Sequence, residues 1–409
     1  MKEETKYIKH GQAERDYERF INFDRLRKER LERTQKAMEK YGLSAIAAHQ
    51  AKSIRYITGM KFNQWSPEEL ENYTVVPVKG KPIQWQIGVD YQRMQEQAKY
   101  LGVEIRNAIP ISFAAHSASE KVKKETMRTY TDNIKMVLKK NGLEGGKVGL
   151  DSWSPLLIEA LEDADIEYGD ATLALTEAKS IKTPDELEIC RIGASIADAC
   201  FYTMETNIRP GIRECELWAE MAKTAFTLGA ENWYGLLNSG GRTNPYYRYE
   251  GSDKIISPGD LVISDITLSY MGYHTCVVRT FVEGGKPTSE QKALYRECYE
   301  YLYKAIDVCK AGVTSDKVAD ALPPHGWEGF SAQIVHGIGH SLHEFPFIMP
   351  MYKDKSFELE PGMYLALETY AGMPFGSRTQ GVRLEENFVI TENGYEVFSR
   401  YPFWDEKML

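Results

Sequence analysis

The chain has 409 residues, and 50 lysines and arginines against 59 aspartates and glutamates give a net charge of −9. This length predicts about two to three domains, for which 43% hydrophobic residues can supply cores. The mildly acidic, mixed charge excludes a basic surface for nucleic acid or anionic lipid. No apolar stretch approaches the roughly 18–20 residues of a membrane helix, and the N-terminus lacks a signal-peptide core, so we predict a cytoplasmic protein without nucleic-acid or membrane partners.

The cysteines and histidines give the first functional indication. Six cysteines are too few for a disulfide scaffold, and no C-x-x-C pair is present, so free thiols are predicted. Three of the eight histidines, His336, His340 and His343, fall within eight residues. This clustering indicates a possible site.

The first part of the chain alternates helical and strand patterns. A loose apolar stripe predicts an amphipathic helix over residues 23–41, and further helical patterns cover residues 117–141 and 155–164. Short apolar segments separated by Gly and Pro predict strands at residues 44–49, 54–57, 73–78 and 82–87. The pattern predicts an N-terminal α/β domain with a mixed sheet over residues 1–165, followed by a linker over 166–182.

A second domain is predicted from residue 183 to residue 409. Thr183, Pro184 and Glu186 supply an N-cap, an N1 proline and the third-position acid of a capping box, so a helix begins there. Cys190 lies on its apolar face and is predicted to be a core residue. Another helix is expected near Arg213, and strands and hairpins are predicted from Leu261 to the end.

Ligand-type side chains occur on four predicted strand segments of this domain. The segments are residues 259–265, 336–346, 362–368 and 381–385. Asp265 and Glu368 each end an apolar strand, and the period of two places Arg383 and Glu385 on one face. Carboxylates there are costly to bury without a compensating cation, and three acids with His336 suit manganese, iron, cobalt or zinc, as one or two ions.

The order of these segments resembles the creatinase, prolidase and methionine aminopeptidase family, whose catalytic domain has the pita-bread fold. The resemblance rests on the Asp265 strand, Arg279-Thr280-Phe281, the His-Gly-Ile-Gly-x-x-x-His-Glu-x-Pro stretch, the Glu368 strand and Gly-Val-Arg-Leu-Glu385. It covers residues 180–395 and is weaker over the first 165 residues, where Ile54-Arg-Tyr-Ile-Thr-Gly is similar. It implies an N-terminal α/β domain, a C-terminal pita-bread domain and a homodimer.

The resemblance also implies roles for individual residues. Asp265, His336, Glu368 and Glu385 match metal ligands of the family, and His343 matches a histidine that contacts the substrate or intermediate. Glu368 would also be the general base that acts on water.

One position departs from the family pattern. Members with two metal ions have an aspartate shortly before the Arg-Thr pair, where this chain has Cys276. The resemblance therefore does not by itself imply a site for two metal ions. Two alternatives stay open for Cys276: a thiolate ligand for a softer metal such as zinc or iron, or a small buried hydrophobic residue.

The substrate side differs from that of proline-specific peptidases. Those enzymes resemble this chain around the Ser239-Gly240 turn, and a histidine follows the turn shortly afterwards. This chain has Tyr246 and Tyr247 there instead. The candidate substrate-binding residues are Trp65, Arg242, Tyr246, Tyr247, His274 and Arg383. Arg242 could bind a carboxylate, and the aromatic residues could surround a methylated cation. Alternatively, Arg242 pairs with a neighbouring acid and the tyrosines belong to the core.

Several functions remain open at this level. The leading hypothesis is metal-dependent hydrolysis of a C–N bond in a small carboxylate-bearing substrate, either Xaa-Pro-like or a guanidino acid or betaine. A lyase is the alternative, because residues 241–247, Trp65 and residues 82–85 are similar to the dimethylsulfoniopropionate lyases of the family. A metal-free, creatinase-like hydrolase centred on His343 and a non-catalytic pita-bread binding protein are the remaining alternatives.

Overall fold

A six-stranded mixed sheet organises the N-terminal part of the chain. In the computed structural model, the described residues are 21–61, 71–87, 95–96, 98–99, 101–108, 110–117, 119–246, 249–322, 334–350, 356–372 and 379–403, without the side chain of Phe113. The strands are β1 (Ala45–Ala48), β2 (Tyr73–Pro77), β3 (Ile83–Ile87), β4 (Glu104–Ala108), β5 (Val148–Leu150) and β6 (Tyr168–Asp170). Their order is β4-β3-β2-β1-β5-β6, with β1 antiparallel to β2 and parallel to β5. The predicted mixed sheet is confirmed.

Six described helices accompany this sheet. They are α1 (Phe23–Lys40), α2 (Ala51–Thr58), α3 (Ile111–Ala115), α4 (Glu120–Lys140), α5 (Pro155–Asp163) and α6 (Thr172–Ser180). The strand prediction for residues 54–57 is wrong, because that segment lies in α2. Ile54 and Ile57 are buried at helical spacing, and Gly59 closes the helix with a left-handed φ of 75°. Both β6 and α6 lie inside the segment predicted as a linker.

The C-terminal part contains two antiparallel sheets and four described α-helices. The helices are α7 (Pro184–Asn207), α8 (Glu214–Thr227), α9 (Ser289–Ile306) and α10 (Ser315–Ala321). The smaller sheet contains β7 (Asn232–Ser239), β8 (Leu261–Tyr270) and β9 (Tyr273–Val282). The larger has the order β11-β10-β12-β13-β14, with β10 (Ile334–Gly337), β11 (Glu344–Ile348), β12 (Tyr364–Gly372), β13 (Gly381–Thr391) and β14 (Gly394–Val397).

The predicted start of α7 agrees with the structure, but two later helices were not predicted. Thr183 and Glu186 form the capping box of α7. Helices α9 and α10 lie in the region for which only strands and hairpins were expected. The first of them has a capping box as well, formed by Thr288 and Gln291, which is a signal present in the sequence.

Helices cover one face of each C-terminal sheet. Helices α7 and α8 pack on the smaller sheet, and Cys190 and Phe201 lie in that core. Helices α9 and α10 pack on the larger sheet through a second core that contains Tyr295 and Leu365. Polar residues of β8 and β9 can therefore cluster on the face turned away from α7.

Side chains join the two sheets where β9 lies beside β13, a contact we call the β9/β13 seam. Thr280 Oγ1 donates to the carbonyl oxygen of Arg383 at 2.7 Å and accepts from its amide at 3.1 Å. Asn387 Nδ2 donates to the carbonyl oxygen of Cys276 at 2.6 Å, and its Oδ1 accepts from the Cys276 amide at 3.2 Å. These bonds satisfy backbone groups that no strand ladder pairs and fix the position of one sheet against the other.

A buried arginine strengthens the seam. Arg279 donates to the carbonyl oxygen of Glu385 at 2.6 Å and forms an ion pair with Glu386 at 3.0 Å. Because both charged side chains are buried, each compensates the desolvation of the other. The backbone at Glu385 is therefore held rigidly.

Ion pairs also connect the N-terminal and C-terminal parts. Arg25 of α1 donates to both carboxylate oxygens of Asp185, at 2.7 and 2.8 Å. Arg55 of α2 binds Glu231 through two bonds of 2.6 and 2.9 Å. Among the described residues, no helix combines the length and the apolar character needed to cross a membrane.

Candidate active site

The smaller sheet contributes an acid and a thiol to one polar cluster. Asp265 lies in the middle of β8 rather than at its end, because the strand continues through buried residues on both sides. Cys276 lies on the neighbouring strand, opposite Thr267. Its Sγ is 3.5 Å from Asp265 Oδ1, and the Thr267 hydroxyl donates to it at 3.3 Å. The two strands thus place the thiol beside the carboxylate.

The larger sheet contributes two acids and a histidine. Glu368 of β12 and Glu385 of β13 are direct cross-strand partners. Like charges at such a position destabilise a sheet, which indicates a requirement other than folding. His336 lies on β10, next to β12, and its Nε2 is 3.8 Å from Glu385 Oε1. The structure therefore brings together the residues that the motif order singled out.

Arg383 is the cation of this cluster. Its Nη1 donates to Asp265 Oδ2 and its Nη2 donates to Glu368 Oε2, so one guanidinium connects acids from both sheets. The ring of Tyr246 lies under the guanidinium, with 4.7 Å from its carbon to the ring centre. Burial opposes this charge, but Glu368 and Asp265 outweigh it and raise the pKa of Arg383. Arg383 was a candidate substrate-binding residue. In the structure its guanidinium contacts two acids of the cluster.

Glu385 is a fully buried carboxylate of the cluster. Within the described part of the chain, neither of its oxygens has a hydrogen-bond partner, and its side chain is 0% exposed. Burial raises the pKa of Glu385 well above its usual range, and the charges of Glu368 and Asp265 raise it further, against the opposing effect of Arg383. An unsatisfied buried acid of this kind is a candidate metal ligand.

His336 presents one nitrogen to the cluster. Its Nδ1 lies 3.0 Å from the carbonyl oxygen of Gly337, so Nδ1 carries the proton and Nε2 faces Glu385 as a lone pair. Burial lowers the pKa of His336 to about 4, so the imidazole is neutral at physiological pH. The rings of His343 and Phe347 flank it, with centroids at 4.8 and 6.0 Å.

The donor set fits a divalent cation. Among the described residues, the carboxyl groups of Asp265, Glu368 and Glu385 surround the one guanidinium of Arg383, so the cluster has an excess of two negative charges whenever Glu385 is ionised. Ligand atoms of Asp265, Cys276 and Glu385 all lie within 4.8 Å of one another. Burial and the neighbouring carboxylates raise the pKa of the Cys276 thiol, so it is protonated without a cation. One divalent ion would balance the carboxylates.

Two of the substrate-side candidates have protein partners. Arg242 contacts Glu214 at 3.4 Å and also donates to Ser252. This is the alternative in which the arginine pairs with a neighbouring acid. Tyr246 stays at the site, because it packs on Arg383.

The remaining substrate-side candidates are less informative. His274 lies with Nδ1 3.0 Å from the carbonyl oxygen of Gly339, which also accepts a bond from the His274 amide at 2.7 Å. This pairing fixes the hairpin against the β10–β11 connection. Trp65 and Tyr247 lie outside the described residues.

A cavity of about 240 Å³ adjoins the cluster through His343. Its N-terminal wall includes Lys52, Asp151 and Lys179, and its C-terminal wall includes His343 and Glu344. Lys179 is only 9% exposed, and its ammonium group lies 5.6 Å over the ring of Tyr56. The cavity therefore brings a buried cation close to the candidate site.

Sequence reasoning missed two of these residues. Asn387 follows Glu385 by two residues on β13, so the period of two could have placed both on one face. Lys179 lies in the segment predicted as a linker, and no sequence signal connected it with His343. Its proximity depends on how the two parts of the chain pack.

Comparison with known families identifies the chain. The model described as "Metallopeptidase family M24" matches residues 188–392, which is half of the chain, and "Creatinase/Prolidase N-terminal domain" matches residues 30–175. The chain belongs to metallopeptidase family M24. The predicted family and the predicted pita-bread fold are confirmed, and enzymes of this family generally use divalent metal ions.

Individual relatives include peptidases and a lyase. The chain is 30% identical to the Xaa-Pro dipeptidase of Pyrococcus furiosus over 226 residues, covering 54% of this chain and 63% of that protein. It is 26% identical to the dimethylsulfoniopropionate lyase DddP of Roseovarius nubinhibens over 294 residues, covering 67% of this chain and 64% of that protein. These matches span less than two thirds of either relative.

A solved structure supports the same assignment. The Xaa-Pro dipeptidase from Bacillus anthracis superposes with a TM-score of 0.73 at 25% identity, covering 92% of this chain and 98% of that one. The similarity includes both the N-terminal and the C-terminal parts. Together these comparisons support a hydrolase.

The uncompensated charge of Glu385 leads to a stability prediction. In the EDTA-treated chain, Glu385→Gln removes a buried charge without changing the size of the side chain. We expect the free energy of unfolding at pH 7 to rise by about 1–3 kcal/mol, measured by urea denaturation. Because the pKa of Glu385 is raised, wild type loses stability as pH rises from about 4.5, so the difference should shrink towards pH 5.

The exposed Glu360 provides a control, because Glu360→Gln should leave stability unchanged. Zinc should then raise the melting temperature of wild type and not that of Glu385→Gln. A variant that is destabilised in the EDTA-treated state at pH 7 would contradict the assigned charge imbalance.

Proposed function

We propose that this chain is a metal-dependent hydrolase that cleaves a C–N bond in a small, carboxylate-bearing substrate. The observation that carries the proposal is the convergence of Asp265, His336, Glu368 and Glu385, from two sheets, around an uncompensated negative charge. Membership of family M24 supports metal-dependent hydrolysis as the reaction class. A homodimer of this chain, as the family resemblance implies, is part of the same proposal.

The proposed metal ligands are Asp265, His336, Glu368 and Glu385. When bound, a divalent ion would supply Lewis acidity that activates water and polarises the bond under attack. The neutral imidazole of His336 needs no deprotonation to contribute Nε2.

Glu368 is the proposed general base. Its side chain is 12% exposed, whereas that of Glu385 is 0% exposed, so only Glu368 of this pair is accessible to a substrate. Arg383 holds Glu368 Oε2, which orients the carboxylate. Glu368 would take the proton of the attacking water and deliver it to the leaving nitrogen.

His343 is the proposed substrate contact. Its ring packs against His336, with centroids 4.8 Å apart, and against Phe347 at 5.5 Å. The same side chain forms part of the cavity wall. A substrate positioned at Glu368 would therefore extend past His343 towards the cavity.

Lys179 is the proposed receptor for the substrate carboxylate. Arg242 is already compensated by Glu214, whereas among the described residues no hydrogen bond of the Lys179 ammonium group is found. Burial lowers the pKa of Lys179, and an anion in the cavity would favour its charged form. Lys52 adds a second positive charge to the same cavity.

The acids of this cavity are engaged elsewhere. Asp151 accepts a bond of 2.7 Å from the amide of His49. Glu344 pairs with Lys182 at 3.0 Å and accepts from the amide of Ser341 at 3.0 Å. Three lysines, Lys52, Lys179 and Lys182, accompany these two acids, so the group has one excess positive charge when Lys179 is protonated.

A lyase is the second candidate function, favoured by the match with the dimethylsulfoniopropionate lyase. In that reaction Glu368 would remove a proton next to the substrate carboxylate, and a β-substituent would leave. Lys179 would bind the carboxylate in either reaction. The products separate the two functions, because hydrolysis releases an amine or ammonium and elimination releases an acrylate.

A substrate panel with Glu368→Gln tests the reaction. The panel contains Xaa-Pro dipeptides, guanidino acids, betaines and a sulfonium propionate, with products followed by proton NMR. For the compound that reacts, we expect Glu368→Gln to lower kcat at least about 100-fold, because the base is lost. The exposed control Glu360→Gln should retain full activity. A fully active Glu368→Gln would remove Glu368 from this role, and activity unchanged by chelation would favour the metal-free, His343-centred alternative.

Lys179→Met tests the carboxylate receptor with the same compound. Loss of a charged hydrogen bond should raise KM by about 10–100-fold with little change in kcat. For the methyl ester of the substrate, the substitution should not raise KM. Lys40→Met, which removes a surface pair with Glu177, is the control. An equal rise in KM for the free acid and for the methyl ester would contradict the proposed role of Lys179.

A further inference from the structure

Cys276 borders the apolar core of the smaller sheet, but its thiol also contacts the polar cluster. Its Sγ lies 3.5 Å from Asp265 Oδ1 and accepts from the Thr267 hydroxyl at 3.3 Å. Asp265, Cys276 and Glu385 are the one group of at least three ligand-type residues found close enough for an ion in the described ranges. A residue that only filled space would not need this polar environment.

We infer that Cys276 is itself a metal ligand and that its thiolate adds sulfur to the proposed ligands Asp265, His336, Glu368 and Glu385, in a site for one zinc-class ion. This inference rests on the proposed metal-dependent function and specifies its metal. The thiol proton passes to the solvent as the sulfur–metal bond forms, so the site binds a thiolate.

The spacing of the ligand atoms agrees with this geometry. Zinc bonds of about 2.0–2.3 Å would place neighbouring ligand atoms roughly 3–4 Å apart. The Cys276 Sγ to Asp265 Oδ1 distance is 3.5 Å, and the His336 Nε2 to Glu385 Oε1 distance is 3.8 Å. Each pair has the spacing of neighbouring ligands, and the ligand atoms of Asp265, Cys276 and Glu385 lie within 4.8 Å of one another, so His336 and Glu368 would have to turn towards this group.

Arg383 limits the site to one ion. A second divalent ion would have to share Asp265 and Glu368, and the guanidinium already binds Asp265 Oδ2 and Glu368 Oε2. The fixed charge of Arg383 therefore occupies the position next to the first ion. A thiolate also favours zinc or cobalt over manganese, which prefers oxygen ligands.

Cobalt binding tests this inference without a substrate. The purified chain is stripped with EDTA, dialysed against Co²⁺, and analysed for bound cobalt and for thiolate-to-cobalt charge-transfer absorption in the near ultraviolet. We expect one cobalt per chain with the charge-transfer band. Cys276→Ser should lose the band and bind cobalt at least about tenfold more weakly. Zinc should displace the cobalt, and an equal concentration of manganese should not.

Cys298→Ser is a matched control for this experiment. Cys298 is also buried and also contacts a threonine hydroxyl, Thr369 Oγ1 at 3.4 Å, but it lies on α9, in the core between this helix and the larger sheet. Its substitution should leave both the band and the stoichiometry unchanged.

If Cys276→Ser does not fold, the wild type loaded with zinc can be measured instead, by X-ray absorption at the zinc edge. It should show one sulfur neighbour at about 2.3 Å. Metal bound without sulfur contact, or two ions per chain, would overturn the inference and leave the proposed hydrolase intact. Failure to bind any metal ion would overturn the metal dependence of the proposed function as well.

Discussion

The buried charge imbalance around Arg383 is the constraint on which the candidate site depends. Asp265, Glu368 and Glu385 come from two different sheets, and the guanidinium of Arg383 pairs with the first two of these acids but not with Glu385. A fold selected for stability alone would not place two glutamates opposite each other on buried strands. The imbalance is therefore best explained by a cation that binds to the folded protein, and it connects the geometry of the sheets with the chemistry of family M24.

The β9/β13 seam makes this arrangement rigid. Thr280, Asn387 and Arg279 bind backbone groups across the seam, so the strand that carries Cys276 and the strand that carries Glu385 cannot move independently. A preorganised ligand set lowers the cost of binding an ion and excludes alternative geometries. The distance between Cys276 and Asp265 is fixed separately, by the pairing of β8 with β9.

Local signals in the sequence predicted much of the fold and singled out the acids and the histidine that the structure brings together. The Thr183 capping box gave the start of α7, and the order of the polar strand segments gave the family. Residues 54–57 were predicted wrongly, because a short apolar segment has similar patterns in a strand and in a buried helix. The partners of Arg242 and Arg383 could not be predicted. They depend on contacts between residues far apart in the chain, which one sequence does not reveal.

The most direct test of the central claim, that the carboxylate cluster binds a divalent ion, is a crystal structure of the chain grown with zinc. Diffraction data on both sides of the zinc absorption edge locate the ion without assumptions about activity. The account predicts one anomalous peak among Asp265, Cys276, His336, Glu368 and Glu385, with Arg383 still bound to Asp265. The absence of a peak there, with Glu385 still buried and unpaired, would contradict it.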